Sequence, residues 1–158
     1  MSNQTKLEIK GVDAAMATLR ERSATIVTAL TASMARATID LVAYIKGSKL
    51  SDQVLRVRTG RLRRSITQRV EDTDGKIVGI TGTNVSYARA HELGFKGAVQ
   101  VKAYTRTVKG ASFPVRSHSR NLDIKARPFL APSLLERFPK YEQQFAKAVE
   151  EGSRGAVS

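Results

Sequence analysis

Few side chains in this sequence combine the types and spacing that catalysis or metal binding requires. His91 and Glu92 form the only adjacent histidine–acid pair, and His118 lies in a separate polar segment. A zinc site needs three or four convergent ligands, and the chain has no cysteine to supply a thiolate. Neither a G-x-S-x-G nucleophile elbow nor a phosphate-binding loop is present. We therefore expect no catalytic residue, no bound metal and no cofactor.

The chemistry that the composition does favour is contact with anions. The 158 residues include 27 Lys and Arg against 14 Asp and Glu, which gives a formal net charge of +13. Six arginines and no acidic residue lie between Arg56 and Arg69. This imbalance indicates a partner that is a nucleic acid, an anionic surface or an acidic protein, and it does not distinguish among the three.

A long helix is predicted before this basic cluster. Apolar residues recur every three or four positions from Val12 to Ile45, which indicates one amphipathic helix over about 13–46, ended by Gly47, or two helices with a bend. A single helix of that length would run about 50 Å. A small core cannot cover such a stripe throughout, so we expect part of it to face another subunit. A kinked helix folded onto its own sheet is the alternative.

A first hairpin and a short helix are predicted after the cluster. Strands over 66–70 and 77–81 flank a turn signal at 73–76. The next segment, 87–93, is typical of a short helix, and Gly94 is expected to end it because glycine tolerates a left-handed conformation. A short strand over 7–9 is also predicted, ahead of the long helix.

A second, basic hairpin is predicted as an insertion over about 97–125. Its strands cover 99–108 and 112–117, with Lys109-Gly110 as the turn. The polar stretch 116–123 is expected to be mobile.

The last predicted element is a helix over 132–151, because Pro132 fits a first helical turn. Pro139 is expected to break or kink this helix. Its buried side is predicted to consist of the apolar residues Leu134, Leu135, Phe138, Tyr141, Phe145 and Val149.

These elements predict an α+β fold, in which the long N-terminal helix and the C-terminal helix pack on a mostly antiparallel sheet. One domain is expected over 1–151, including the inserted hairpin, with a flexible tail at 152–158. Residues 1–10 are polar and lack the apolar core of a signal peptide. No stretch approaches the roughly 20 apolar residues that a membrane span needs, so no membrane partner is expected.

Three short motifs occur in a fixed order between the two long helices. They are Thr59-Gly60-Arg61-Leu62, then Tyr87-Ala88 with His91-Glu92-Leu93-Gly94, and last Ala126-Arg127-Pro128-Phe129-Leu130. Each fragment alone is weak, but the ordered set resembles the tail-completion or head–tail joining family of long-tailed bacteriophages. Members of that family are also called neck proteins or minor tail proteins, and the resemblance spans about residues 7–150.

The resemblance implies a structural subunit without catalysis. It implies a ring at the head-proximal end of the tail tube, where a tail terminator, tail-completion or neck protein acts. Six subunits are the first expectation for this ring. The implied partners are copies of this chain, the head connector or stopper, and the tail tube proteins, with passive contact to genomic DNA. The implied location is the head–tail junction of the virion, after assembly in the host cytoplasm.

Two sets of residues are candidates for these contacts. We expect Glu92 to pair with an arginine of the next subunit, drawn from Arg61 to Arg64. The candidates for the subunit or partner interface are Arg58, Arg61, Arg63, Arg64, Tyr87, His91, Glu92, Arg127 and Phe129. The candidates for DNA or inter-ring contact, all in the inserted hairpin, are Lys102, Arg106, Lys109, Arg116 and Arg120.

The main alternative is a basic nucleic-acid-binding protein. The Arg56–Arg69 cluster would then neutralise phosphates, and binding would weaken steeply as salt rises. Only Tyr104 and Phe113 lie among the basic residues of the inserted hairpin, so a stacking platform for single strands has little support.

Overall fold

A computed structural model describes residues 12–51, 53–73 and 76–154 of the chain. The predicted α+β class is confirmed, because helices flank paired strands in this range. The predicted strand at 7–9 and the end of the predicted tail, 155–158, lie outside the described residues. The elements are α1 (Val12–Tyr44), a π-helical turn (Ile45–Lys49), α2 (Arg61–Ser65), β1 (Thr67–Thr73), β2 (Lys76–Gly82), α3 (Ala88–Leu93), β3 (Phe95–Val101), β4 (Tyr104–Val108), β5 (Ala111–Val115), β6 (His118–Ile124) and α4 (Ala131–Arg154).

The chain divides into two compact units. The described part of unit 1 falls within 12–43, 67–81 and 134–154, and unit 2 consists of 44–66 and 82–133. No sequence pattern marks this division, and the single domain over 1–151 stays a prediction. Among the described residues the strands pair as three two-stranded sheets, β1–β2, β3–β6 and β4–β5.

Unit 1 has a core of small and apolar side chains from α1 and α4. Ala37, Leu41, Val42, Tyr141 and Ala148 are buried. The single long helix is the correct one of the two predicted alternatives. Gly47 does not end it, however, since the chain continues through the π-helical turn that follows α1.

The C-terminal helix extends further than predicted. It continues to Arg154, and Gly152 is buried against Ile26, where a β-carbon would lie 2.9 Å from Cα of Ile26. The side-chain amide of Gln144 adds a bond by donating to the backbone carbonyl of Ser33 at 3.1 Å. Residues 152–154 are therefore helical, which corrects the predicted start of a flexible tail. Pro139 lies within α4, and the helix continues through it without a break.

The predicted buried face of α4 is mostly wrong. Tyr141 is buried, but Leu134, Phe138 and Val149 are exposed, and Leu135 is 73% exposed. The inward positions of α4 instead include Ala148 and Gly152, whose small size permits close approach. Hydrophobicity alone therefore selected the wrong side of this helix, and large apolar side chains remain in contact with solvent.

Unit 2 has its own core, built from residues that are far apart in the sequence. The buried residues at its centre are Ile45, Leu50, Leu55, Ile66, Val85, Ala88 and Phe129. Phe129 has no exposed surface. Its side chain therefore anchors the segment between β6 and α4 in this core.

The inserted hairpin has two tiers. The lower tier pairs β3 with β6 antiparallel, from Phe95 opposite Ile124 to Val101 opposite His118. The upper tier, which we call the arm, consists of residues 104–115 and pairs β4 with β5 around a turn at Lys109-Gly110. The stretch 116–123 was predicted to be mobile, and this is wrong, because most of it forms β6.

Among the described residues, one segment has the length and hydropathy of a membrane span. Ser23–Lys49 has a mean hydropathy of 1.4, so it is long and apolar enough to cross a bilayer. Core helices of soluble proteins meet the same criterion. This finding corrects the expectation that no stretch of the chain is apolar enough for a membrane span.

Candidate functional site

A cleft in unit 2 brings together most of the residues predicted to form an interface. Its volume is about 510 Å³, and every residue that lines it belongs to unit 2. Predicted interface residues from all three sequence motifs meet here. The lining consists of the arginines Arg56, Arg58, Arg61, Arg63 and Arg127, the apolar residues Leu50, Leu55, Val57, Leu62 and Tyr87, and Thr59, Gly60 and His91. We call this the arginine cleft.

The turn at Gly60 positions the arginines of α2. Gly60 has φ 67° and ψ 4°, a left-handed conformation that glycine adopts without steric cost. Its carbonyl accepts a hydrogen bond from the N–H of Arg64 at 3.0 Å, which closes the single turn of α2. The hydroxyl of Thr59 accepts from the N–H of Arg61 at 3.4 Å. Arg61 and Arg63 therefore extend from a short helical turn.

A pair of hydroxyl groups ties α2 to the segment before α3. Ser65 Oγ lies 2.6 Å from Thr83 Oγ1, and Ser65 also donates to the carbonyl of Leu62 at 2.8 Å. Thr83 Oγ1 accepts from the N–H of Val85 at 3.2 Å. Because Val85 is buried, these bonds hold the two walls of the cleft in a defined arrangement.

The opposite wall is formed by α3 and Arg127. The N–H of Arg127 donates to the carbonyl of His91 at 2.7 Å. The rings of Tyr87 and His91 contact edge to face, with centroids 5.9 Å apart. His91 Nδ1 is buried, and among the described residues it has no hydrogen-bond partner. This backbone hydrogen bond holds Arg127 of the third motif beside His91 of the second motif at the cleft.

The arginines give this cleft the charge to bind anions. Its five arginines are exposed, and no acidic residue contributes to its described lining. Arginine stays protonated and is only a donor, so the group provides positive charge and fixed hydrogen-bond geometry without a general base. Within the described part of the chain, no three His, Cys, Asp or Glu side chains lie close enough to hold a metal ion.

Two predicted interface residues have roles within the chain. Glu92 accepts hydrogen bonds from three consecutive backbone N–H groups, those of Phe129 and Leu130 at Oε2 (2.8 and 3.0 Å) and that of Ala131 at Oε1 (3.0 Å). The carboxylate thus caps the start of α4. Phe129 is fully buried, so its side chain has no surface to offer a partner and its assignment to an interface is corrected. The pairing of Glu92 with another subunit stays a prediction.

The remaining candidates lie elsewhere on unit 2. Arg64 is exposed on α2, next to Gly60. The basic residues of the inserted hairpin are exposed and spread along both tiers instead of forming one patch. The predicted contact residues among them are Lys102 between β3 and β4, Arg106 in β4, Lys109 in the turn, Arg116 between β5 and β6, and Arg120 in β6.

Sequence reasoning identified the charged residues of the cleft but missed its apolar wall. Leu50 and Leu55 lie between α1 and α2, and their burial depends on the π-helical turn before them. The capping role of Glu92 was also missed, since its partners are backbone groups and leave no side-chain signal. No protein-family model, curated protein or solved structure matches this chain.

Proposed function

We propose that this protein is a structural subunit of a tailed-bacteriophage virion. In this proposal, copies of the chain assemble into a ring at the head–tail junction and join the tail tube to the head connector. It acts as a tail-completion, tail-terminator or neck protein, without a catalytic step. The ordered motifs support the family, and the apolar surface that the fold leaves uncovered supports assembly.

The arm is the single observation that carries this proposal. Directly opposed residues of an antiparallel pair project to the same face of the sheet. Tyr104 lies opposite Val115, Arg106 opposite Phe113, and Val108 opposite Ala111, so one face is mainly apolar. The other face carries Thr105, Thr107, Ser112 and Pro114.

This apolar face is open to solvent. Tyr104 and Phe113 are 50% and 54% exposed, and Val108 is also exposed. A two-stranded hairpin is at best marginally stable in water without a partner, and exposed apolar patches usually mark interaction surfaces. A hairpin of this kind is suited to dock on a neighbouring subunit or to add its free strand edge to another sheet.

The exposed side chains of α4 provide a second apolar surface. Leu134, Leu135 and Phe138 occupy positions one to four residues apart in the first half of the helix, and all three are exposed. In an assembled ring, they would be covered by a second copy or by a neighbouring tail or connector protein. Virion assembly in the host cytoplasm would supply such partners.

Two variants test the contribution of the arm. Tyr104→Ser with Phe113→Ser removes apolar area from the exposed face, so we expect loss of oligomer in analytical ultracentrifugation. Thr105→Ser with Thr107→Ser changes the opposite face of the same strand and serves as the matched control. Electron micrographs of phage particles that lack the protein should show separate heads and tails. A protein that remains monomeric at all concentrations and is absent from virions would refute the proposal.

The alternative function is nucleic-acid binding, and the arginine cleft is the observation that favours it. Five exposed arginines around one cleft can neutralise several phosphates. Under this alternative the isolated monomer binds duplex DNA, and log Kd changes linearly with log salt concentration. A gel-shift series at increasing salt distinguishes the two functions, because a ring subunit oligomerises without DNA.

A further inference from the structure

The arginine cleft contains positive charge that no acidic group in its lining neutralises. Its volume of about 510 Å³ is within the range of ligand-binding clefts, and its walls include the exposed Val57 and the half-buried Leu62. Positive charge above an apolar wall matches a peptide segment that carries both carboxylates and aliphatic side chains. Tyr87 is the only aromatic ring in the lining apart from His91, so successive nucleic-acid bases would find little to stack on.

The densest acidic segment of this chain lies at the β1–β2 hairpin. Glu71, Asp72 and Asp74 fall within four residues, and no other four-residue stretch of the sequence has more than two acids. Val70 precedes them and supplies an aliphatic side chain. In the structure Glu71 and Asp72 are exposed at the end of a seven-residue strand.

The ion pair between Arg69 and Glu71 at the described part of this hairpin would be easily exchanged. Glu71 Oε1 lies 2.8 Å from Nε of Arg69, but the two side chains are 44% and 68% exposed. Ion pairs on the surface contribute little to stability, so replacing Arg69 by another arginine costs little.

We propose that the acidic end of β1 in one copy, Val70 with Glu71 and Asp72, binds in the arginine cleft of a neighbouring copy. This inference rests on the proposed ring function and names one contact within it. The hairpin belongs to unit 1 and the cleft to unit 2, so the contact joins two different surface patches. In the proposed ring this contact repeats head to tail and is heterologous. Heterologous contacts generate closed rings when the rotation closes, which is the symmetry that a collar requires. The charges fix register and speed association.

Charge reversal on either side tests this contact. Arg58→Glu in the cleft and Asp72→Arg at the hairpin should each raise the concentration at which half of the chains are assembled by about tenfold or more. The double variant Arg58→Glu/Asp72→Arg places opposite charges together again in every contact, so it should recover assembly. Sedimentation velocity over a concentration series measures all three.

Two reversals elsewhere are matched controls. Arg89→Glu changes an exposed arginine of α3 that does not line the cleft, and Glu21→Arg changes an exposed acid of α1. Both should assemble like the unchanged protein. Circular dichroism melting of each variant separates loss of the contact from loss of the fold, and the recovery by the double variant can occur only if both single variants fold.

The outcomes separate this inference from the proposed function. If the unchanged protein is strictly monomeric, both are wrong. If it assembles and the single reversals have no effect, or if the double variant does not recover, the contact is wrong and the ring stands. A fluorescent duplex oligonucleotide gives the remaining outcome. If Arg58→Glu abolishes its binding while assembly is retained, the cleft serves nucleic acid and the inference is overturned.

Discussion

Glu92 and Phe129 are 37 residues apart in the sequence, yet a carboxylate oxygen of Glu92 lies 2.8 Å from the backbone nitrogen of Phe129. The same carboxylate accepts from the next two N–H groups, those of Leu130 and Ala131. The first N–H groups of a helix have no partner within it, and negative charge is favourable there. A side chain from α3 thus performs the capping that α4 does not supply for itself, and it links two of the three sequence motifs.

Removing this cap should destabilise the protein. We expect Glu92→Ala to lower the free energy of unfolding by about 1–3 kcal/mol, because three backbone donors lose a charged acceptor. Glu92→Gln keeps one acceptor oxygen and should cost less. Urea denaturation at a concentration where the chain is monomeric measures both effects, with Glu142→Ala on the exposed side of α4 as the control. Unchanged stability of Glu92→Ala would show that the carboxylate acts elsewhere.

Asp40 joins α1 to α4 through three donors, and its protonation should limit stability in acid. Arg137 Nη2 (3.1 Å), Lys140 Nζ (2.8 Å) and Tyr141 Oη (2.8 Å) all reach its carboxylate. Burial alone would raise the pKa of Asp40, but the hydrogen bonds from Lys140 and Tyr141 and the positive charges outweigh it and hold this pKa below 3.8.

The sign of the pH effect follows from that lowered pKa. The stabilising contribution of Asp40 is present above the unfolded pKa of about 3.8 and is lost as pH falls through the lower folded pKa. Asp40→Asn should therefore be less stable than the unchanged protein at pH 6, with the difference shrinking below pH 3.8. Thermal melts across this range measure it. A difference that stays constant with pH would contradict the assignment.

Tyr141 should limit stability at the alkaline end. Burial, together with the hydrogen bond to the Asp40 carboxylate, raises the pKa of Tyr141 well above 10. A raised folded pKa means that the contribution is fully present below pH 10 and is lost as pH rises beyond it. Tyr141→Phe should remove this alkaline dependence, although it also loses the bond to Asp40 at neutral pH. Absorbance titration of the phenolate in the folded protein provides an independent measurement.

Gly79 marks a close approach between β2 and α1. A β-carbon built at Gly79 would lie 2.6 Å from both Met34 Sδ and Thr38 Cγ2. Met34 can rotate away, but the branched side chain of Thr38 is stiff in a helix, so the strand or the helix must shift. We expect Gly79→Ala to cost about 1–3 kcal/mol of stability. Gly82→Ala, at the end of the same strand, meets no atom within 4 Å and is the control.

The parts that were predictable from the sequence have local causes. The apolar period of α1, the turn at Lys109-Gly110 and the end of α3 at Gly94 each depend on residues that are near one another in the chain. Gly94 has φ 77°, and a side chain there would also crowd the backbone oxygen of Ile124 at 3.1 Å. The stretch 116–123 was misjudged because its residues are polar, and only its pairing with β3 makes it a strand.

The amino-acid sequence by itself determined the α+β class, the long helix, the positive charge and the three ordered motifs, because composition and short-range periodicity encode these directly. Only the tertiary structure decided which residues meet. Arginines of the first and third motifs line one cleft, and the Glu92 carboxylate accepts hydrogen bonds from backbone N–H groups that begin at Phe129. Leu135 is exposed to solvent. These outcomes depend on packing between distant segments, where side-chain size and backbone hydrogen bonds, and not local hydrophobicity, select the arrangement.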